Sequence, residues 1–213
     1  MRIKLNLYIF LFLVIFFITN QIEIYALVMF FCFIHELTHL VCGVILGFKP
    51  CVLRIMPLGF SIEFQSIVKD YNKKILKSNV LTVKKIIIAF TGPLTNLAIT
   101  VFGIIFNLEA NIIYSNFLIF VFNLIPIYPL DGGRILKNIL KIFCGNRKAN
   151  KYMNVITNLL FIKLIILSSV LILIYKNISI LSILIFLLML IIKENRRYNT
   201  YNKIYKTIDK TYI

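Results

Sequence analysis

Six long apolar runs constrain this chain more than any other feature. They cover residues 5–19, 24–48, 86–106, 112–130, 155–175 and 178–192. A helix crosses the hydrocarbon of a bilayer in about 20 residues, 17–25 being usual. Inside lipid every backbone polar group must be satisfied within the element itself. The second, third and fourth runs meet that length. The first and last are short and need a thinned bilayer or snorkelling flanks. The expected architecture is an all-α polytopic membrane protein with about six transmembrane helices. Composition agrees: 60% of the 213 residues are hydrophobic and 15% charged, against roughly half and a quarter in soluble domains. Arg2 and Lys4 give the first run the basic start of a signal peptide. Thr19-Asn20-Gln21 lacks an A-x-A-like cleavage site, so the run reads as an uncleaved span.

A net charge of +16 invites a nucleic-acid partner, but the distribution argues against one. Of the 24 Lys and Arg, all except Lys163 and Lys176 precede span one, lie between spans two and three or four and five, or follow span six. All of those segments share one side, and the positive-inside rule makes it the cytoplasm, with both termini there. The charge is thus topological and attracts anionic lipid. Residues 1–192 read as one integral membrane domain and residues 193–213 as a short, basic, Tyr-rich tail. The four cysteines, Cys32, Cys42, Cys51 and Cys144, suggest no disulfide framework.

The longest stretch outside the spans begins as a β-hairpin at the cytoplasmic surface. Residues 52–56 form one strand, Pro57-Leu58-Gly59 has turn chemistry, and residues 60–65 alternate apolar and polar at period two. Residues 69–85 read as a basic linker. After span four, Ile135, Leu136, Ile139, Leu140 and Phe143 recur at helical spacing, which predicts an interfacial amphipathic helix over 134–152.

Span two carries His35-Glu36-Leu37-Thr38-His39, an H-E-x-x-H motif holding the only two histidines of the chain. On a helix, positions i and i+4 share a face, so both imidazoles reach one metal. Glu36 stands beside them, placed to take a proton from water at that metal. Ionisable groups inside a span are costly and functional by default. Of the eight acidic residues only Glu36 lies well inside a span. Asp131 closes span four within Asn123-Leu124-Ile125-Pro126-Ile127-Tyr128-Pro129-Leu130-Asp131-Gly132-Gly133-Arg134. A catalytic zinc takes three protein ligands, and His35, His39 and Asp131 complete that set. Local sequence alone reads Asp131 more readily as a turn aspartate ahead of two glycines. Cys32 and Cys42 share the histidine face at i, i+3 spacing and stand as an alternative ligand source. Topology supports Asp131: spans two and four both run inward, His39 lies about 13 Å before the inner end of its span, and Asp131 lies at the inner end of its own.

These paired motifs resemble the site-2 protease family of intramembrane zinc metalloproteases, and within it the members that act in sporulation. The likeness extends to Met56–Phe64 (MPLGFSIEF) and Thr91–Asn96 (TGPLTN). It implies His35, His39 and Asp131 as Zn2+ ligands, Glu36 as catalytic base, and Asn123 as a residue that positions substrate or stabilises the oxyanion. It implies a membrane-tethered substrate, the precursor of a late sporulation sigma factor. It also implies inhibitory membrane partners and residence in the mother-cell membrane around the forespore. Better-known members of this type add a nucleotide-sensing CBS domain after the last span, which residues 193–213 do not supply. A metal-ion or proton transporter built on the same His/Glu cluster is the competing class. It would place acids or histidines on several spans and show repeat architecture. Neither is visible. A catalytically dead scaffold is opposed by the complete H-E-x-x-H.

Overall fold

The computed structural model describes residues 2–65, 76–175 and 178–211. The chain divides into two units, Met1–Ile125 and Pro126–Ile213. In the first, β1 (Arg2–Leu5) leads into α1 (Tyr8–Ile18) and α2 (Ile22–Ile45). Then come β2 (Pro50–Met56), β3 (Gly59–Phe64), α3 (Leu76–Ile105) and α4 (Ala110–Leu124). Asn20, with φ 54°, turns the chain between α1 and α2. Asparagine is one of the few side chains that tolerate this left-handed conformation. The Gln21 N–H closes the turn on Phe16 O at 2.8 Å.

Helix α2 is the axis of this unit, packing against α1, α3, α4 and the sheet. Phe16 of α1 stacks on Tyr25 of α2 at 4.6 Å between ring centroids. The Tyr25 hydroxyl donates to Pro57 O at 2.8 Å, tying the hairpin turn to the helix. Two further aromatic pairs continue the seam, Phe33 with Phe60 at 5.3 Å and Phe48 with Phe64 at 5.8 Å.

The predicted hairpin is present, with β2 and β3 antiparallel and Leu53 opposite Ile62. A third strand joins it: β1 pairs parallel to β2, Arg2 opposite Val52 and Leu5 opposite Ile55, giving the order β1-β2-β3. The basic N-terminal segment is therefore a strand, and β2 is central. The linker expected over 69–85 falls partly outside the described residues, at 69–75. From Leu76 onward the chain is already α3. Lys84 on that extension donates to Leu46 O at 3.0 Å, a cation on the carbonyl end of α2 where the helix dipole favours it.

Helix α4 stops at Leu124, short of the expected 130. Pro126 disfavours α conformation at Ile125, which adopts φ −59°, ψ 128°. Asp131 therefore opens the next helix rather than closing this one.

The second unit holds α5 (Asp131–Tyr175) and α6 (Ile178–Thr211). Gly145, at φ 76° and ψ 166°, breaks α5 into two helices. The amphipathic helix expected over 134–152 is therefore not continuous: Gly145 divides it, and only its first part, up to Cys144, lies in the first of the two helices. Helix α6 runs without interruption from the sixth apolar run into the basic stretch read as a tail. Among the described residues, Ile22–Ile45, Asn79–Ile105 and Asp131–Ile174 are long and apolar enough to cross a membrane, while Tyr8–Ile18 and Ala110–Leu124 are shorter apolar helices. Large apolar side chains stand exposed on both units, Ile45 at 78% and Leu173 at 77% among them. Water-facing surfaces rarely sustain extensive apolar patches.

Candidate metal centre

His35, Glu36 and His39 sit mid-way along α2, and all three are buried. The helical repeat puts the two imidazoles on one face, with Nε2 of His35 and Nε2 of His39 3.1 Å apart. The other ring nitrogens are committed elsewhere. His39 Nδ1 donates to Ile88 O at 2.6 Å, and His35 Nδ1 donates to Asn96 Oδ1 at 2.6 Å. A backbone carbonyl only accepts, so His39 carries its proton on Nδ1. With His35 donating likewise, both Nε2 atoms present lone pairs towards the same volume. Two lone pairs at that separation repel unless a cation lies between them. Hydrogen bonds from Nδ1 to protein oxygens are the usual way a metal-binding histidine is oriented and made more basic.

Helix α3 leaves room for that cation at one residue. A Cβ built on Gly92 would run into Nε2 of both His35 and His39 and into Cε1 of His39. Only glycine keeps the space beside both nitrogens open. Pro93 follows inside the same helix, and the carbonyl His39 uses, Ile88 O, lies in the turn before it. Thr91 Oγ1 donates to the same carbonyl at 2.8 Å. The donor set and the cradle fit a nitrogen-seeking divalent metal such as zinc.

Glu36 is 6% exposed, and its Oε1 accepts the backbone N–H of Ile62 in β3. Successive N–H groups of a strand alternate between its two edges. Gln65 N–H donates to Lys49 O on the β2 side, so Ile62 and its even-numbered neighbours present theirs to the opposite edge. The sheet thus turns one donor of its outer strand onto the carboxylate.

The remaining sequence candidates lie as follows. Asn123 is near the end of α4, half-buried, its Nδ2 donating to Ile119 O at 3.1 Å. Asp131 is the first residue of α5 in the second unit and is buried. Arg134 Nη1 lies 3.4 Å from its Oδ1. The preceding segment presses closely on this helix start, for a Cβ on Gly133 would meet the backbone of Ile127 and Tyr128. The alternative ligand source is not assembled: no cysteine sulfur joins the histidines at ligand distance among the described residues. Cys42 lines an apolar groove between α2 and α3, and the Cys32 side chain lies against Gly59 of β3.

Sequence reasoning missed Gly92, the Ile88 carbonyl, the Ile62 amide, Asn96 and Asn116. Asn96 Nδ2 donates to Asn116 Oδ1 at 2.9 Å, and Asn116 Nδ2 donates to Ile112 O at 2.9 Å. Two asparagines inside apolar helices were a usable signal, because polar groups at such positions are costly unless they serve a purpose.

A site-2 protease from Methanocaldococcus jannaschii superposes with a TM-score of 0.67 at 23% identity, covering 90% of this chain and 89% of that one. The chain has a site-2 protease fold. The family model of Peptidase family M50 matches residues 105–167, a stretch of this fold that contains Asn123 and Asp131. No curated protein matches the sequence significantly.

Proposed function

We propose that this chain is an intramembrane metalloprotease. Zinc is held by His35, His39 and Asp131, and Glu36 is the general base. One observation carries the reading: two Nε2 atoms 3.1 Å apart, each on an imidazole whose Nδ1 is hydrogen-bonded to a neighbouring oxygen, beside a buried glutamate. The similarity to Peptidase family M50 over residues 105–167 supports it, as does the site-2 protease fold.

Zinc bound there would polarise the scissile carbonyl and acidify water. The protein residues do the rest. The histidines and Asp131 fix the metal's position. Glu36 takes one proton from the attacking water as its oxygen bonds to the carbonyl carbon, then gives that proton to the departing amine as the C–N bond breaks. In the resting site the Ile62 N–H holds the carboxylate in place. Asn123 is assigned to substrate positioning or to the developing oxyanion.

The substrate is a membrane-tethered protein cut within or beside the bilayer. The sequence likeness to stage IV sporulation protein FB supports a sporulation sigma-factor precursor as that substrate, inhibitory membrane proteins as further partners and the mother-cell membrane as the location. Charge distribution puts both termini in the cytoplasm. Reporter fusions after residues 70, 145 and 213 should then read cytoplasm, and fusions near 22 and 109 the opposite side.

The deciding experiment co-expresses the chain with a membrane-tethered sigma-factor precursor and compares wild type with Glu36→Gln. The amide cannot accept the proton, so cleavage should fall by about a hundredfold to ten-thousandfold while zinc content is unchanged. Undiminished cleavage by Glu36→Gln would refute the base assignment.

A further inference from the structure

We infer that Asn96 and Asn116 are positioning residues of the metal centre, a relay across α3 and α4 that dictates which nitrogen of His35 carries its proton. The inference rests on the metal site proposed above.

Both asparagines are fully buried, at 0% exposure. Their amides could in principle face either way, since oxygen and nitrogen ends are similar in shape. The far end of the chain of bonds removes that freedom. Ile112 O is a carbonyl and only accepts, so Asn116 turns its NH2 towards it at 2.9 Å and its oxygen towards α3. Asn96 must then present its NH2 to Asn116 Oδ1, at 2.9 Å, which leaves Asn96 Oδ1 facing His35 Nδ1 at 2.6 Å. An oxygen there requires a proton on Nδ1 and a lone pair on Nε2. A backbone carbonyl on α4 thus sets the polarity of a ring on α2 through two side chains. Reversing the Asn96 amide would demand the opposite tautomer, whose Nε2–H would point into the space beside Gly92. His39 needs no relay, because its Nδ1 meets the Ile88 carbonyl directly.

That asymmetry makes His39 an internal control. The protein contains only two histidines, so 15N spectra of histidine-labelled, zinc-free, full-length chain in detergent resolve both tautomers without metal or substrate. Wild type should show Nδ1–H at both rings. In Asn116→Leu, Asn96 loses the acceptor that orients it. His35 should become a tautomer mixture while His39 stays unchanged, and zinc affinity by chelator competition should drop about tenfold to a hundredfold. Asn116→Asp still offers Asn96 an oxygen and should restore both readouts.

An unchanged His35 spectrum in Asn116→Leu would overturn the relay. So would equal disturbance of both histidines, which would reduce the pair to interhelical packing. Should Asn116→Leu fail to fold, Asn96→Asp decides the matter: an acceptor-only carboxylate must keep His35 as Nδ1–H, and an Nε2–H signature would overturn the inference. A wild-type chain with no affinity for zinc would instead sink the metalloprotease reading itself.

Discussion

The two units use their polar groups differently. In the first, the polar contacts around α2 end on the atoms proposed to do chemistry: Ile88 O on His39, Asn96 on His35, the Ile62 amide on Glu36. In the second, the polar groups end on one another. Asn154 Nδ2 donates to Asn195 Oδ1 at 2.7 Å, and Asn195 Nδ2 donates to Asn158 Oδ1 at 3.0 Å. Glu194 meets Lys137 at 3.7 Å and Arg197 at 3.6 Å. The first arrangement aims individual atoms, and the second fixes the register of α5 against α6. Lys137, 4.3 Å over the Tyr128 ring, carries that second network back to the segment ahead of Asp131. Buried polar networks that are fully satisfied rigidify a core. Which readout a substitution disturbs should therefore depend on which kind of network it enters.

The largest effect is expected at Gly92. Gly92→Ala puts a methyl group against both Nε2 atoms, so zinc binding and proteolysis should be lost together while helicity and membrane insertion persist. Normal zinc content by metal analysis would show that the volume beside the histidines is not the metal site. Asp131→Asn should come next. A neutral amide is a poorer zinc ligand than a carboxylate, so metal content and activity should fall in step. Full occupancy with normal turnover would return Asp131 to a turn residue and confine the metal-directed chemistry to the first unit.

A smaller effect, about tenfold on cleavage, is expected for Ile62→Pro, which deletes the donor that steadies Glu36 and leaves the histidines alone. Phe64→Pro removes a donor from the same strand edge without touching Glu36. Loss of cleavage in both, at normal zinc content and insertion, would mean that an extended substrate pairs along this edge. Loss in Ile62→Pro alone would assign the edge to the base only, and wild-type rates in both would exclude each role. The smallest effect belongs to the second unit. Asn195→Ala removes two side-chain hydrogen bonds and should lower stability by about 1–2 kcal/mol in a denaturant titration, with zinc affinity unchanged. A change in zinc affinity there would erase the distinction between the two networks.

What was legible in the sequence was local. His35 and His39 read directly because their spacing matches the helical repeat, and the hairpin read because Phe60 to Phe64 alternates. Contacts remote in sequence were not legible. Arg2-Ile3-Lys4-Leu5 also alternates, but its partner strand begins at Pro50, and beside an apolar run its two cations resembled a flank. The helix boundary before Asp131 was misjudged because hydropathy continues through Pro126 and Pro129 although the backbone does not. Thr91–Asn96 was noticed as a motif, yet nothing local reveals that its glycine faces two imidazoles or that its asparagine faces one. Those roles exist only once α3 lies against α2.

The hydrogen bond between the Ile62 amide and Glu36 has a consequence for timing. One amide proton serves one acceptor well. If an incoming peptide adds to the edge of β3, its carbonyl competes for the proton that Glu36 already holds. Seating the peptide then unfastens the carboxylate, and the same event that brings a scissile bond alongside the histidines makes the base more avid for protons. Before such a peptide arrives, the carboxylate would stay latched, and in the proposed mechanism water near the histidines would meet a blunted base. An enzyme wired this way would idle safely in a membrane full of uncut neighbours.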